Sequence, residues 1–208
     1  MRRSENHKPV QAERAVLIGN IAHYVLSNWD FASDVSRFKA AVEDACRKFI
    51  NPSHPISHPM CHPEFISGSQ TMSGQEIPKQ VRDDCKCKEN TIISVQSELE
   101  DLFEKFSASP AYEELKGAEI LGKEIPFALP WDGQVMEGVI DIIYRYGGKL
   151  YAADYKTDRI SEGGIESKVN EYSISADIYM NAVRMCTGSD IAGFNLIFLR
   201  HGKCVQCV

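Results

Sequence analysis

Asp141, Asp154 and Lys156 have the residue types and spacing for metal-assisted phosphodiester chemistry. They lie within residues 135–159, VMEGVIDIIYRYGGKLYAADYKTDR. Val, Ile and Tyr dominate both halves, and Gly147-Gly148 sits between them, so the stretch reads as two strands joined by a two-residue hairpin loop. Counting outward from the loop pairs Tyr146 with Lys149 and Arg145 with Leu150, and sets Asp141 opposite Asp154. Directly opposed residues have Cβ atoms about 4.5–5.5 Å apart. Lys156, two residues beyond Asp154, projects from the same face. Opposed carboxylates repel, and a divalent cation between them removes the repulsion; their oxygens suit Mg²⁺ and Mn²⁺. On this count, deleting Asp141 stabilises the metal-free hairpin. A lysine beside such a cluster can orient or deprotonate a water, or offset developing negative charge. The competing reading is a solvated hairpin face carrying an Asp154–Lys156 charge pair.

The elements that must position these residues follow from periodicity. Residues 13–29, ERAVLIGNIAHYVLSNW, form a helix with a broad apolar face of Val16, Leu17, Ile18, Ile21, Val25 and Leu26. His23 lies one turn beyond Gly19 on the same side. By residue type alone His23 is a packed or capped histidine. Residues 34–50 form a second amphipathic helix, with Val35, Phe38, Val42, Ala45, Cys46 and Phe49 as its buried stripe. Helical period returns over 92–106, and Ser109-Pro110 opens a further short helix. Residues 119–130, EILGKEIPFALP, read as a strand on which Glu124 is by default a surface residue. Residues 161–167 form a loop, and 168–186 form a helix with Gly188 at its C-cap. Tyr172, Ser175 and Tyr179 share one face of it. Residues 193–208 form a strand, a turn at His201-Gly202 and a last strand.

Between the second and third helices the pattern is lost. Residues 51–89 are rich in Pro, Ser, His and Gly with no sustained period. His54, His58, Cys61 and His62, with Cys85 and Cys87, invite a zinc site, but their spacing matches no standard finger. The wording HPEFISGSQ…EIPKQVRDD resembles the translated palindromic repeats found in some bacterial genomes. The expectation is a disordered, repeat-derived insertion at about 51–90 that takes no part in chemistry.

Composition bounds the class. At 208 residues, 43% hydrophobic and 25% charged, the chain reads as one soluble domain. No apolar run approaches the roughly 20 residues that span a bilayer, and no apolar segment follows Arg2-Arg3 closely enough for a signal peptide. A cytoplasmic location without membrane contact is expected. A net charge of −6 argues against a free-standing basic DNA-binding protein. It admits an enzyme that receives DNA from another protein of an assembly. Seven scattered cysteines in a cytoplasmic chain favour thiols or a metal site over disulfides. No G-x-x-x-x-G-K-[ST] occurs, so the chain lacks a P-loop motor.

The run GVIDIIYRYGGKLYAADYKTD resembles the metal-binding core of the PD-(D/E)xK nuclease superfamily. More narrowly, it resembles the RecB-type nuclease domain at the C-terminal end of AddA-like helicase–nuclease subunits. Asp141 follows Gly138-Val139-Ile140 as the family's first Asp follows its Gly-x-hydrophobic run, and Asp154-Tyr155-Lys156-Thr157 matches its Asp-Tyr-Lys-Thr run. Gly19-x-x-x-His23, Glu124-Ile125-Pro126-Phe127 and the Ser109-Pro110 start match further family signatures. The resemblance implies an α/β fold with a restriction-endonuclease-like core, a mixed central β-sheet flanked by helices. It implies a metal-dependent deoxyribonuclease of DNA repair and recombination that uses Mg²⁺ or Mn²⁺. His23, Asp141, Asp154 and the Tyr155 carbonyl would be the ligands. Lys156, Asp141, Asp154 and Glu124 would act in catalysis, and Tyr179 and Thr157 would contact the substrate. The partners would be DNA and a helicase subunit or AddB-like protein. Two features depart from the family. Ser175 stands where its Gln-x-x-x-Tyr pair has Gln. Cys204 and Cys207 fit only half of the four-cysteine iron–sulfur site of some relatives, so no cluster is expected. The alternative reading is a catalytically impaired remnant that only binds DNA or a helicase.

Overall fold

In the computed structural model the described residues are 7–50 and 81–207, with side chains from 11 to 50 and from 91 to 207 except Glu162. The candidate zinc histidines, Cys61 and residues 51–80 of the expected insertion lie outside them. Five helices and five strands follow in order: α1 (His7–Asn28), α2 (Phe38–Ile50), α3 (Val81–Ser107), α4 (Pro110–Lys116), β1 (Glu119–Trp131), β2 (Gln134–Tyr146), β3 (Lys149–Lys156), α5 (Ile165–Thr187), β4 (Ile191–Phe198) and β5 (Lys203–Gln206). The strands form one sheet in the order β1-β2-β3-β4-β5. All neighbours are antiparallel except β3 and β4, which α5 connects in parallel. This is the expected α/β architecture, a five-stranded mixed sheet flanked by helices.

Several elements begin earlier than their patterns suggest. α1 starts at His7 rather than 13, and β4 at Ile191 rather than 193. α3 runs from Val81, upstream of the expected start at 92. α5 starts at Ile165, inside the stretch read as a loop, because Ile165 is buried and anchors the first turn. Ser109 caps α4 by accepting from the Tyr112 amide, with Pro110 in the first turn.

The two hairpins have the same chemistry. Gly147 and Gly148 have φ of 56° and 77°, and Asp132 and Gly133 have 49° and 76°. Both loops are therefore two-residue turns of the type whose twist suits flanking strands. The counted register is the observed one, from Tyr146↔Lys149 through Arg145↔Leu150 to Ile142↔Ala153. The Asp132-Gly133 turn goes unmarked in the sequence reading, where Pro130 bounds the strand. Pro130 and Pro126 are accommodated because β1 is an edge strand.

The sheet separates two cores. On one face, α1–α4 bury Ile18, Ile21, Val42, Leu99, Phe103, Phe106 and Tyr112 against Ile142, Tyr144, Ala153 and Tyr155. On the other, α5 packs Ala176, Met180 and Val183 against Ile143, Ala152, Phe194 and Leu196. A charge cluster ties the first layer to the end of β3. Glu98 on α3 takes Arg14 of α1 at 2.8 Å, Arg159 at 2.5 Å and Arg200 at 2.6 Å. Arg200 Nε also donates to the Thr157 carbonyl at 2.6 Å. Burial works against the Glu98 carboxylate, but hydrogen bonds from Arg14, Arg159 and Arg200 outweigh it and lower the pKa from 4.5 to about 2.

A depressed carboxyl pKa stabilises the fold at pH values above the unfolded pKa, and that contribution fades as the pH falls toward the folded value. At 1.36 kcal/mol per pKa unit the shift is worth about 3 kcal/mol, and solvent screening of the partly exposed arginines reduces the brace to on the order of 2 kcal/mol at neutral pH. Glu98→Gln should therefore lower the urea midpoint clearly at pH 7, and the gap to wild type should narrow steadily between pH 4.5 and pH 3. A gap that stays constant with pH would show that the carboxylate charge contributes nothing.

Candidate metal centre

The hairpin strands part at Asp141. The β2–β3 ladder ends at Ile142↔Ala153. In the β1–β2 ladder, Lys123↔Ile142 and Ile125↔Ile140 are paired, while Glu124 and Asp141 fall between them unpaired. Side-chain alternation slips at the same level. Ile142 and Tyr144 face α1–α4, but Ile140 packs with Ile143 on the α5 side. Beyond the fork, the Tyr155 peptide turns to side chains. Its N–H donates to Asp141 Oδ2 at 2.6 Å, and its carbonyl lies 3.1 Å from His23 Nε2.

Glu124 reaches this point through strained backbone. Its φ is 50°, a left-handed conformation that a side chain bearing a Cβ seldom adopts. The preceding residue explains how it is held. Lys123 Nζ donates to the carbonyls of Leu26 and Trp29 at the end of α1 and lies 5.0 Å from the centre of the Phe31 ring. This clamp fixes β1 against α1 one residue from Glu124. No sequence pattern marked Lys123, because its partners are backbone atoms almost 100 residues away.

His23, Glu124 and Asp141 bring one donor atom each within 4.8 Å of one another. His23 Nδ1 is 3.4 Å from Asp141 Oδ1 and 3.8 Å from Glu124 Oε1. Burial pushes the imidazole pKa down, but the facing carboxylates of Asp141 and Glu124 and the charge of Asp154 raise it to about 10. The imidazolium thus occupies the electrostatic place of a cation. At Gly19 α1 passes beside Thr157, and a Cβ there would sit in ordinary contact with Thr157 Oγ1, at 3.4 Å, so sterics do not demand a glycine for this approach. Among the residues expected to bind metal, His23, Asp141 and the Tyr155 carbonyl converge, and Glu124 joins them.

Asp154 stands outside that trio and faces a cavity under α5. The cavity, about 210 Å³, is lined by Asp154, Lys156, Tyr172, Ser175, Tyr179 and Phe194 among others. Lys156 Nζ is 2.6 Å from the buried Asp154 Oδ2 and is its ion-pair partner. Burial raises the Asp154 pKa, and the nearby Asp141 charge raises it further. Lys156 also lies 3.9 Å from the centre of the Tyr172 ring. Burial works against its charge, but Asp154 outweighs this and raises its pKa. Tyr179 packs edge-on against Phe127 and beside Phe194, with ring centres 5.4 and 5.2 Å apart. A Cβ at Gly138 would meet Phe127 at 2.7 Å, so that position must stay bare for this packing. Thr157 turns away from the cavity toward Gly19.

An imidazole, two carboxylates and a neighbouring main-chain carbonyl make a donor set suited to a divalent cation. The buried, repelled Asp154 carboxylate beside it is a further anionic group that a cation would relieve. The class of molecule is therefore an α/β domain with a histidine–carboxylate cluster at a fork in its sheet.

No family model matches the chain. Parts of it are similar to three bacterial proteins, each of them an ATP-dependent helicase/nuclease subunit. The similarity is 26% identity over 123 residues to that of Staphylococcus saprophyticus subsp. saprophyticus, covering 50% of this chain and 10% of the relative. It is 31% over 102 residues for Bacillus velezensis, covering 46% and 8%, and 28% over 115 residues for Staphylococcus epidermidis, covering 47% and 9%. The chain thus spans a tenth or less of the length of these relatives.

Two stability tests follow from the fork. In a regular strand Ala is preferred to Gly by about 0.5–1 kcal/mol. At Glu124 the positive φ reverses this order, so Glu124→Gly should unfold at higher urea than Glu124→Ala, by about 1 kcal/mol; the ordinary ranking would mean that the strain is absent. Removing Asp141 is also not the relief that carboxylate counting suggests. Asp141→Ala leaves the buried Tyr155 amide unpaired, at a cost of about 1–3 kcal/mol. Asp141→Asn keeps an acceptor for that amide, losing only the charge that faces His23, and should be clearly more stable than Asp141→Ala. Equal stability of the two variants would show that the amide bond is unimportant.

Proposed function

We propose that the chain is a metal-dependent DNA nuclease of the PD-(D/E)xK kind, with a restriction-endonuclease-like core. In this reading it is one domain, interrupted at about 51–90 by an insertion. It serves as the nuclease module of a helicase–nuclease assembly in DNA break repair and recombination. The observation that carries the proposal is the mutual approach of His23, Glu124 and Asp141, the first and last of them also on the Tyr155 backbone, beside the Asp154–Lys156 pair. Similarity to helicase/nuclease subunits supports the substrate class and the helicase partner.

His23, Glu124, Asp141 and the Tyr155 carbonyl would hold Mg²⁺ or Mn²⁺, with Asp154 alongside. When bound, the ion supplies Lewis-acid polarisation of the phosphate and a more acidic water. The chain's own groups do the rest. Asp154 and the Tyr172 ring hold the Lys156 ammonium at the mouth of the α5 cavity, where it orients a water or donates to a phosphate oxygen. Tyr179, fixed by Phe127 and Phe194, shapes the cavity wall that the substrate strand follows. The Thr157 carbonyl is engaged by Arg200, so Thr157 serves the α1–β3 seam and keeps His23 in register. A second reading, a module that only binds DNA or a helicase, draws on Ser175. Its short side chain lines the cavity where the resembling nucleases carry glutamine.

Cleavage of single-stranded DNA with Mg²⁺ and none with EDTA is the first expected result. Asp141→Asn, the variant that preserves the Tyr155 bond, should lose both Mn²⁺ binding by calorimetry and cleavage. Lys156→Ala should keep Mn²⁺ and lose cleavage by about 100-fold or more. Full activity in Asp141→Asn overturns the mechanism. Equal loss of metal in both variants makes Lys156 a structural partner of Asp154. DNA binding without cleavage in wild type establishes the second reading.

A further inference from the structure

Three guanidinium groups share the Glu98 carboxylate at the end of β3, more than neutralisation requires. Arg14, Arg159 and Arg200 carry two positive charges beyond the one Glu98 neutralises, and one even with the adjacent Asp158 counted, in a chain whose net charge is −6. Their remaining donors are the informative part. Each guanidinium carries five N–H groups in a planar fork. Arg14 spends Nε and Nη2 on Glu98 and the Ser94 carbonyl. Arg200 spends Nε and Nη2 on Thr157 and Glu98. Arg159 spends only Nη2 on Glu98, and 65% of its side chain is exposed. Among the described residues, the Nη1 groups of all three have no protein acceptor, nor does Arg159 Nε. The neighbouring acid, Asp158, accepts from the Tyr172 hydroxyl at 3.4 Å.

The position of the cluster suggests what those donors meet. Arg159 follows Lys156 by three residues, and Arg200 is bonded to the carbonyl next to it in sequence. Arg14 precedes His23 by nine residues on α1, about 13 Å at 1.5 Å per residue. The cluster therefore flanks the His23–Asp141–Lys156 centre at a distance that a nucleotide chain spans. Planar forks match phosphate oxygens in pairs, where a single ammonium acts as a point charge. Glu98 holds three mutually repelling forks together, so the site exists before any ligand arrives.

We propose that Arg159, with Arg14 and Arg200 braced on Glu98, is a subsite for a backbone phosphate of a nucleic-acid strand, beside the phosphate that is cut. That a neighbouring phosphate is cut rests on the nuclease function proposed above; the phosphate subsite itself does not need it. The subsite supplies locally the cationic surface that the overall charge of the chain denies.

Binding of a fluorescein-labelled oligothymidylate, read by anisotropy in EDTA over a range of low salt concentrations, tests the subsite without cleavage. Each phosphate contact on a single strand contributes about −0.7 to the slope of log K against log salt. Arg159→Ala should flatten the slope by about that amount and weaken binding several-fold, while Arg159→Lys should retain most of the slope. Arg47→Ala is the control. It removes the same charge from a side chain also 65% exposed, paired with Glu43 and Asp44 on α2, and should change nothing. An unchanged slope in Arg159→Ala, an equal loss in Arg47→Ala, or no oligonucleotide binding by wild type overturns the subsite. A parallel Mn²⁺ cleavage assay separates the two ideas. A wild type that binds through Arg159 but never cuts refutes the nuclease and keeps the subsite. A wild type that cuts with a slope independent of Arg159 does the reverse.

Discussion

The Tyr155 peptide is the constraint on which the centre depends. A buried amide and carbonyl must find partners. In an unbroken hairpin β2 would provide them. Here the ladder stops at Ile142↔Ala153, and the Tyr155 N–H goes to Asp141 while its carbonyl goes to His23. One unpaired peptide thus pulls a carboxylate from β2 and an imidazole from α1 to the same point. The fork leaves a gap in the sheet that side chains fill, and those side chains are the ones with metal-ligating atoms. Satisfying the backbone and assembling the centre are the same event.

Two braces keep the fork from closing or drifting. Lys123 pins the edge strand to the carbonyls that end α1, and the next residue adopts a conformation with φ of 50°. Local strain of this kind persists only where the surroundings over-determine it. Glu98 gathers Arg14, Arg159 and Arg200 so that α1, α3 and the chain after β3 move as one unit. Both braces join α1 to the sheet from opposite ends, with His23 between them. The position of the imidazole against Asp141 is thus set by contacts that do not touch it.

Electrostatics at the centre is finely divided between two sides of the sheet. Toward α1, an imidazolium offsets Asp141 and Glu124. Toward α5, a lysine offsets Asp154. Two anionic clusters are each met by one protein cation, and the Asp154 carboxylate still feels Asp141 across the fork. Such an arrangement is stable without a metal ion, and a divalent cation takes up the donor set by displacing the His23 proton whose charge it replaces.

Much of this was legible in the chain because it is local. Gly147-Gly148 dictates a hairpin loop, the loop dictates the register, and the register brings Asp141 level with Asp154. Amphipathic period located α1, α2 and α5, and Ser109-Pro110 located α4. The fork was not legible, because it depends on which acceptor the Tyr155 amide meets when β2 and β3 part. Counting placed Asp141 and Asp154 as a simple opposed pair; tertiary structure gave Asp141 to His23 and Glu124, and Asp154 to Lys156. Glu124 looked like an edge-strand surface residue until a positive φ and the Lys123 clamp carried it inward. The role of Glu98 has no local signal either, since nothing near it in sequence announces three arginines from distant segments. Sequence determines elements through short-range periodicity and turn chemistry. Which charges meet is decided by the packing of α1, α3 and the sheet, a long-range matter on which periodicity is silent.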